Sequence, residues 1–368
     1  MRASSLELSE DAAETGGHAG PADHAACRAA IRAGSRSFHA ASLLLPPAMR
    51  RAAYGLYAFC RFSDDAVDDP EAAAGKAGAV ARLEMRLARA YAGAPADGPA
   101  DRALADIVAS HAIPQALPAA LLDGLAWDAA GRRYETLGDL CAYGARVASS
   151  VGAMMTLIMG VRDPAVLARA CDLGVAMQLT NIARDVGEDA RAGRLYLPLR
   201  WLRQEGIDPE AFLAAPAATP ALARVVGRLL EAADVLYARA ESGIAGLPPS
   251  CRPAIRAARL IYAEIGLEIA RRDHDSVTRR ARVGPGRKTA LLLRALLPLA
   301  AEAERAAPAL PETAFLIDAV TERPPASERV PESERARAAW WDVAGQVVRV
   351  LDMIEVLRER EALTREAS

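Results

Sequence analysis

The sequence predicts an all-α fold, and three observations support that prediction. Ala, Leu and Arg dominate the 368 residues, and all three favour helices. Aromatic residues make up only 5% of the chain, and the β-branched and aromatic runs typical of strands are scarce. Pro and Gly divide the chain into segments of helical length. Hydrophobic residues account for 52%, which is enough for a large core.

The boundaries of the long helices follow from Pro and Asp. Pro47 and Pro164 each stand where a helix should begin, because proline suits the first helical turn. Asp163 precedes the second of them as an N-cap. The long helices are predicted over residues 47–68, 164–189, 221–244 and 252–273.

One helical domain, residues 23–304, is predicted to carry the function. Residues 1–22 are rich in Gly, Glu and Ala and lack hydrophobic periodicity, which predicts a disordered leader. Residues 305–332 are rich in Pro and Glu, which predicts a loose segment. An amphipathic pattern then predicts a last helix over about 333–365.

Composition excludes several classes of protein. A net charge of −2 is unlike the strongly basic footprint of a nucleic-acid binder. The five cysteines are scattered without a C-x-x-C pair, which fits a reducing cytoplasm better than a disulfide framework or a zinc site. The longest charge-free apolar stretch, residues 147–161, is shorter than the roughly 20 residues that span a bilayer. We therefore expect a soluble cytoplasmic protein, or one that rests on the inner-membrane surface.

Two stripes of polar side chains on otherwise apolar segments are the strongest functional signal. The spacing in each stripe places its residues on one face of a helix over three turns. The first stripe consists of Tyr57, Arg61, Asp64 and Asp68. The second stripe consists of Gln178, Asn181, Asp185 and Asp189.

The aspartates of these stripes predict a metal site. A solvated helix face normally pairs Lys with Glu, and neither stripe does so. Two carboxylates one turn apart repel each other unless a cation compensates them. Mg²⁺ is typically held by one or two carboxylates plus substrate phosphates, and Mn²⁺ is the alternative ion. The alternative for the first stripe alone is that its aspartates cap a helix end before Pro70.

Both stripes resemble the aspartate-rich motifs of the squalene/phytoene synthase family, which have the form D-x-x-x-D. The family's second motif usually reads Q-x-x-N-I-x-R-D-V-x-E-D, and residues 178–189 match it at every specified position. The likeness covers roughly residues 25–300. It implies a single helical domain of the isoprenoid-synthase type with a central active-site cavity.

The resemblance also implies roles for individual residues. Tyr57 and Arg61 join the four aspartates as catalytic residues, and Asn181 joins the aspartates as a metal ligand. The implied substrate-binding residues are Ser35, Arg36, Ser37, Phe38, Tyr143, Val147, Ala148, Gln178, Asn181, Arg184, Tyr262, Arg280 and Lys288. One position departs from the family: Arg146 stands beside the expected prenyl tunnel, where a smaller or aromatic residue is common.

The implied reaction joins two geranylgeranyl diphosphates head to head. It proceeds through prephytoene diphosphate to phytoene and releases diphosphate, as the first step of carotenoid biosynthesis. Mg²⁺ would act as a Lewis acid on the leaving diphosphate, with Arg36, Arg61, Arg280 and Lys288 as counter-charges. This product requires no NADPH, whereas squalene would. The expected partners are prenyl diphosphates and no nucleic acid, and the oligomeric state stays open.

Several alternatives compete with this interpretation. Within the family, farnesyl diphosphate could be converted to dehydrosqualene, presqualene diphosphate or squalene. Chain-elongating prenyltransferases carry a second D-D-x-x-D, which this sequence lacks. Terpene cyclases have Ser or Thr where Asp185 stands. A non-catalytic scaffold should have lost motif aspartates, and all four are intact.

Overall fold

The computed structural model describes residues 17–69, 75–297 and 307–322, and within these ranges it contains helices and no strand. The predicted all-α fold is therefore confirmed for the described residues. In chain order the elements are α1 (Pro21–Gly34), α2 (Arg36–Ser42), α3 (Pro47–Asp68), α4 (Gly75–Tyr91), α5 (Pro99–Ser110), α6 (Ala116–Ala129), α7 (Leu137–Gly144), a π-helix (Ala145–Ser149), α8 (Ser150–Ile158), α9 (Pro164–Arg191), α10 (Leu199–Gln204), α11 (Pro209–Ala214), α12 (Pro220–Ile244), α13 (Arg252–Ala270), α14 (Pro285–Ala295), a 3₁₀ turn (Pro311–Thr313) and α15 (Ala314–Thr321).

The two helices that carry the polar stripes begin where the sequence predicts. α3 starts at Pro47, and α9 starts at Pro164 with Asp163 as its N-cap. The Asp163 carboxylate accepts hydrogen bonds from the backbone N–H groups of Ala165 and Val166, at 2.8 and 3.1 Å. These bonds satisfy donors that the first helical turn would otherwise leave unpaired.

α9 is the central helix of the described fold. It packs against α7, the π-helix, α8, α12 and α13, and its apolar side chains Val175, Ala176 and Leu179 have no solvent exposure. Gly174 allows the π-helix to come close, because a Cβ atom there would lie 2.6 Å from the backbone of Ser149. The polar stripe of α9 is thus embedded in a bundle instead of facing bulk water.

α3 carries the first stripe in a second group of packed helices. It contacts α1, α4, α5, α6 and α8, and it buries Leu56, Phe59 and Val67. A cluster of buried apolar residues joins this group to α8 and to the start of α9. The polar faces of α3 and α9 are left to line the space between the two groups.

The predicted leader is too long at its C-terminal end. α1 begins at Pro21, after an extended Gly20, and buries Cys27 and Ile31. Asp23 pairs with Arg102 of α5 at 2.6 Å, which fixes the first turn. The leader prediction for residues 1–16 falls outside the described residues.

The prediction of a loose segment after residue 304 is wrong for residues 311–321. A 3₁₀ turn leads there into α15, which packs against α6, α8 and α9. Leu316, Ile317 and Val320 supply a short buried face that the surrounding Pro and Glu residues obscure in the sequence. The helix predicted over 333–365 lies outside the described residues. Among the described helices, none has the length and apolar character needed to cross a bilayer.

Candidate active site

Two adjoining cavities lie between α3 and α9. One is polar, with a volume of about 500 Å³, and the other is largely apolar, with a volume of about 350 Å³. They share a wall formed by Phe38, Tyr57, Gln178 and Asn181. The structure thus places a charged compartment directly beside an apolar one.

Most of the residues singled out by the sequence line one of these cavities. The polar cavity is lined by Ser35, Arg36, Ser37, Phe38, Tyr57, Arg61, Asp64, Gln178, Asn181, Arg184, Asp185, Asp189, Tyr262 and Arg280. The apolar cavity is lined by Val147 and Ala148, among others. Asp68, Tyr143 and Lys288 line neither cavity.

Two arginines, Arg184 and Arg280, pair with Asp185 of α9. Arg184 donates from Nε and Nη2 to the two carboxylate oxygens, at 2.8 and 2.5 Å. Arg280 donates to the same two oxygens at 2.8 and 3.1 Å. Bidentate pairs of this kind hold both the charge and the orientation of a carboxylate. Asp185 therefore positions the guanidinium groups of Arg184 and Arg280 at the polar cavity.

Close backbone packing brings Arg280 to this position. The backbone N–H of Gly187 donates to the carbonyl of Ser276 at 3.0 Å. A Cβ atom on Gly187 would lie 2.5 Å from the carbonyl oxygen of Val277, so only glycine permits this approach. The glycine inside the second motif thus docks the loop that leads to Arg280 against α9.

Arg194 links the two motifs, although the sequence analysis did not select it. Its Nη1 lies 3.3 Å from Asp68 of α3, and its Nε lies 3.6 Å from Asp189 of α9. Asp68 therefore faces the second motif through this guanidinium without lining the cavity. The signal that could have identified Arg194 is its position five residues after the motif, where the chain turns back.

Two of the motif carboxylates are poorly compensated. Burial, together with repulsion from Asp68, raises the pKa of Asp64 to about 6. Burial raises the pKa of Asp189 to about 7, with Asp185 adding to the shift and Arg194 opposing it. Arg61 stands 3.6 Å from Asp64 but makes its close pair with Asp65, at 2.5 Å. Nearby cations thus compensate the negative charges of Asp64 and Asp189 in the polar cavity only in part.

The α2 segment forms the opposite side of the polar cavity. The Ser35 hydroxyl accepts a hydrogen bond from the Phe38 N–H at 3.2 Å and so caps α2. The Phe38 ring stacks on Tyr262 of α13 with ring centroids 5.1 Å apart. Lys288 lies behind this segment, where burial and the nearby charge of Arg36 lower its pKa.

The π-helix and α8 form one wall of the apolar cavity. Val147 and Ala148 belong to the π-helix, a type of distortion that is common at functional sites. Arg146 does not enter the cavity. It pairs with Asp123 and lies over the Trp127 ring, 4.1 Å from the ring centroid. Its departure from the family therefore does not alter the cavity wall directly.

Tyr143 is held in an aromatic cluster behind the polar cavity. Its hydroxyl donates to Asp128 at 2.7 Å, and the Tyr196 hydroxyl donates to the other oxygen of Asp128 at 2.8 Å. Tyr196 lines the polar cavity, so Asp128 supports that wall from behind. Burial raises the pKa of Asp128, and the two hydroxyl donors oppose this shift. Sequence analysis missed Asp128, whose signal was an acidic residue in the largely apolar α6.

The donor set in the polar cavity fits a hard divalent cation such as Mg²⁺. The ligand candidates are carboxylate and amide oxygens, and the buried Oδ1 of Asn181 has no hydrogen-bond partner. Within the part of the chain that the structure describes, no three His, Cys, Asp or Glu side chains converge as a metal-binding group.

Fold and site together define a helical enzyme of the isoprenoid-synthase type, with an apolar compartment beside a charged one. The family model for squalene/phytoene synthase matches residues 31–287. The chain belongs to the squalene/phytoene synthase family.

Two relatives named phytoene synthase match most of this chain. The phytoene synthase of Rhodobacter capsulatus is 53% identical over 310 residues, which cover 82% of this chain and 91% of the relative. The 15-cis-phytoene synthase of Pantoea ananas is 39% identical over 270 residues, which cover 71% of this chain and 87% of the relative.

Solved structures show the same fold. A dehydrosqualene synthase in complex with a ligand has 31% identity and a TM-score of 0.69, over 74% of this chain and 95% of its own. The squalene synthase HpnC from Alicyclobacillus acidocaldarius has 28% identity and a TM-score of 0.63, over 69% of this chain and 95% of its own.

Proposed function

We infer that this chain acts as a phytoene synthase, a prenyltransferase that joins two geranylgeranyl diphosphates head to head. The relatives named phytoene synthase support the activity, because they match most of the chain. The observation that carries the inference is the shared wall of Phe38, Tyr57, Gln178 and Asn181. A molecule with a charged head and a long apolar tail can occupy both cavities across that wall.

We propose Mg²⁺ as the cofactor, held with the diphosphate by Asp64, Asp68, Asn181, Asp185 and Asp189. When bound, the ion would act as a Lewis acid on the leaving diphosphate. Two supports come from the site itself: the unpartnered Oδ1 of Asn181 and the raised pKa values of Asp64 and Asp189. The proposed reaction needs no NADPH.

The chain's own cations act on the same oxygens. Arg36, Arg61, Arg184 and Arg280 line the polar cavity, and their charges offset the negative charge that grows as the C–O bond breaks. Asp185 pairs with two of them, Arg184 and Arg280, which places both guanidiniums at the polar cavity. The diphosphate therefore departs into a compartment that already holds four guanidinium groups.

The apolar cavity protects the allylic cation that remains. Its wall contains Val147, Val151 and Leu173, whose side chains carry no nucleophile and exclude water. Confinement also aligns the two chains for bond formation. The two compartments thus separate the leaving group from the reacting carbons.

Product analysis tests the proposed function. The purified chain should be supplied with geranylgeranyl or farnesyl diphosphate and Mg²⁺, with and without NADPH. We expect phytoene from the C20 substrate without a reductant. Dehydrosqualene as the preferred product from the C15 substrate, or squalene with NADPH, would assign the chain to another branch of the family.

We also propose that the enzyme works in the cytoplasm and contacts the inner-membrane surface when it releases its product. Phytoene is a long hydrocarbon, and transfer of such a chain from an apolar cavity through water is unfavourable. Co-sedimentation of the purified chain with vesicles of bacterial lipids tests the contact. Complete recovery in the supernatant at every lipid concentration would contradict it.

A further inference from the structure

A strongly basic stretch, residues 276–297, includes helix α14 and the loop before it. It contains five arginines and one lysine but no acidic residue, whereas the whole chain has a net charge of −2. Arg280 of this stretch lines the polar cavity and pairs with Asp185. Arg287 pairs with Glu264 of α13 at 2.8 Å. The active site and this pair leave the other arginines of the stretch without a role.

Three arginines carry positive charge that the described residues leave largely uncompensated. Arg279, Arg282 and Arg294 are exposed, and within the described ranges their side chains form no ion pair or hydrogen bond. The charge of Asp275 acts on Arg279, but its carboxylate already accepts hydrogen bonds from two backbone N–H groups at 3.0 Å. Arg282 stands three residues before α14 begins, so it lies within about 10 Å of that helix. The three charges therefore lie along α14 and the loop that precedes it.

The exposed face of α14 combines one of these arginines with large apolar side chains. Leu293 and Leu297 are 47% and 61% exposed, and Arg294 is exposed between them in the chain. Leu291 and Leu292 turn the other way and are buried. An exposed helix face that carries both arginine and leucine is typical of helices at a membrane surface, where anionic headgroups border the acyl chains.

Helix α13 places this face close to the apolar cavity. Ala254 and Ala258 line the cavity from one face of α13. Arg256 and Glu264 stand on the opposite face, because they lie about half a helical turn away from the two alanines. Arg256 donates there to the carbonyl of Leu297, and Glu264 holds the first turn of α14. α13 therefore lies between the cavity and α14, with the two helix axes about 10 Å apart.

We propose that the exposed face of α14, together with the loop that leads into it, docks on the surface of an anionic bilayer. Leu293 and Leu297 enter the boundary between headgroups and acyl chains, and the three arginines pair with lipid phosphates. This inference rests on the membrane contact proposed above and deepens it by naming the surface. A nucleic acid would account for the arginines but not for the leucines, and the substrate and product of the proposed function are themselves lipids.

Vesicle flotation of the full-length protein tests the surface without substrate or turnover. The vesicles contain phosphatidylcholine alone or phosphatidylcholine mixed with phosphatidylglycerol. Wild type should bind the mixed vesicles about tenfold or more tightly than the neutral ones, and high salt should remove the difference. Each exposed arginine strengthens binding to an anionic surface roughly fivefold, so the triple variant should bind the mixed vesicles roughly a hundredfold more weakly. That variant combines Arg279→Gln, Arg282→Gln and Arg294→Gln.

A matched control removes the same charge from helices α1 and α4, which belong to the group packed around α3. It replaces three other exposed arginines and should bind the mixed vesicles as tightly as wild type. The control combines Arg28→Gln, Arg32→Gln and Arg82→Gln.

The leucines are tested separately at high salt, where the charges are screened. Leu293→Asn with Leu297→Asn should weaken the remaining binding about tenfold, because two apolar side chains no longer leave water. The control is Met85→Asn with Val235→Asn, since these two side chains are similarly exposed on α4 and α12. The two sets of variants are independent, so either one tests the surface if the other does not fold.

Several results would overturn the proposal. Wild type would bind both kinds of vesicle equally, or a folded variant of α14 would bind as tightly as wild type, or a control would lose as much binding as its test variant. A change of oligomeric state in the arginine variant, measured by sedimentation velocity, would assign the face to a contact between copies of the chain. Absence of phytoene formation in detergent would contradict the proposed function and leave the vesicle results unaffected.

Discussion

Helix α9 carries two aspartates, Asp172 and Asp189, whose charges are compensated to different degrees. Asp172 is fully buried and has two arginines within 3.0 Å of one carboxylate oxygen. Asp189, seventeen residues later and about 25 Å along the helix, has Arg194 at 3.6 Å and shares it with Asp68. We call the first group closed because two guanidiniums contact its carboxylate, although Oδ1 of Asp172 and Nη1 of Arg169 have no hydrogen-bond partner. We call the second group open because its one guanidinium lies 3.6 Å away and is shared with Asp68.

The difference appears in how each carboxylate titrates. Burial raises the pKa of Asp172, but Arg239 and Arg169 both oppose the shift. Burial raises the pKa of Asp189 to about 7, and repulsion from Asp185 adds to it. A closed cluster stabilises the fold around it, whereas an open one retains affinity for a cation that arrives with the substrate. Substitutions in the two groups should therefore have opposite consequences.

The largest expected effect is the loss of turnover in Asp189→Asn. The substitution preserves size but removes a charge from the proposed metal site, so the rate should fall about a thousandfold, equivalent to roughly 4 kcal/mol. The melting temperature should stay the same or rise, because an unfavourable buried charge is removed. Asp163→Asn on the same helix is the control and should leave both quantities unchanged, since Asn is an equally good N-cap. Turnover above a tenth of normal in folded Asp189→Asn would contradict the assignment.

The next effect is loss of stability in Asp172→Asn. The buried guanidinium of Arg169 and the partly exposed guanidinium of Arg239 would lose the carboxylate that both contact, at a cost of about 3 kcal/mol. The melting temperature should fall by roughly 4 °C. Turnover of the C20 substrate by the folded fraction should stay within about threefold of normal, because Asp172 lines neither cavity. A stable Asp172→Asn protein with a large rate defect would reverse the comparison.

A smaller effect is expected where α1 meets the shared wall. A Cβ atom on Gly34 would lie 2.3 Å from the Tyr57 hydroxyl, so Gly34→Ala should displace Tyr57 and reduce kcat/KM about tenfold, or 1.4 kcal/mol. Because the hydroxyl is the closest atom, the double variant Gly34→Ala, Tyr57→Phe should match Tyr57→Phe alone. Gly286→Ala has open space around its new Cβ and serves as the control. Additive losses in the double variant would show that the collision is not the cause.

The smallest effect is a pH dependence of stability in metal-free buffer. The folded pKa of Asp189, about 7, lies above its ordinary value of 3.8, so the folded protein binds the extra proton between these values. Stability should therefore fall as the pH rises through this window, and the loss should be complete above pH 7. Wild type should lose about 1 kcal/mol more than Asp189→Asn between about pH 6.3 and pH 8. If the stabilities of the two proteins changed by the same amount with pH across this range, the charge of Asp189 would not be uncompensated in the folded protein.

The residues that could be predicted from the sequence are those whose relation is set within one helix. Helical periodicity alone places Asp64 above Tyr57, and Asp185 above Gln178, because a helix fixes which residues share a face. Pro47 and Asp163 fix where those helices begin. Periodicity carries no information about which helices face each other, so the pairing of the two stripes across one cavity is visible only in the folded chain.

The residues that escaped prediction depend on contacts between distant segments. Arg194 joins Asp68 to Asp189 only after α3 and α9 are packed together. The role of Asp128 depends on hydrogen bonds from two tyrosine hydroxyls that lie 15 and 68 residues away in the chain. Pro308 contacts Arg169 and Arg239 through a backbone carbonyl, which every residue possesses and no sequence pattern marks. Such contacts can be recognised only in the folded chain.

The central claim, that the open acidic group awaits a cation delivered with diphosphate, is tested most directly by thermal stabilisation at pH 8. Wild type, Asp189→Asn and Asp163→Asn should be melted with Mg²⁺ alone, with pyrophosphate alone and with both. We expect the melting temperatures of wild type and Asp163→Asn to rise by several degrees with Mg²⁺ and pyrophosphate together and to change little with either one alone. The reason is that Mg²⁺ takes its oxygen ligands from both the protein and the phosphate groups. Asp189→Asn should lose most of that gain. Equal stabilisation of Asp189→Asn and wild type by Mg²⁺ with pyrophosphate would contradict the claim.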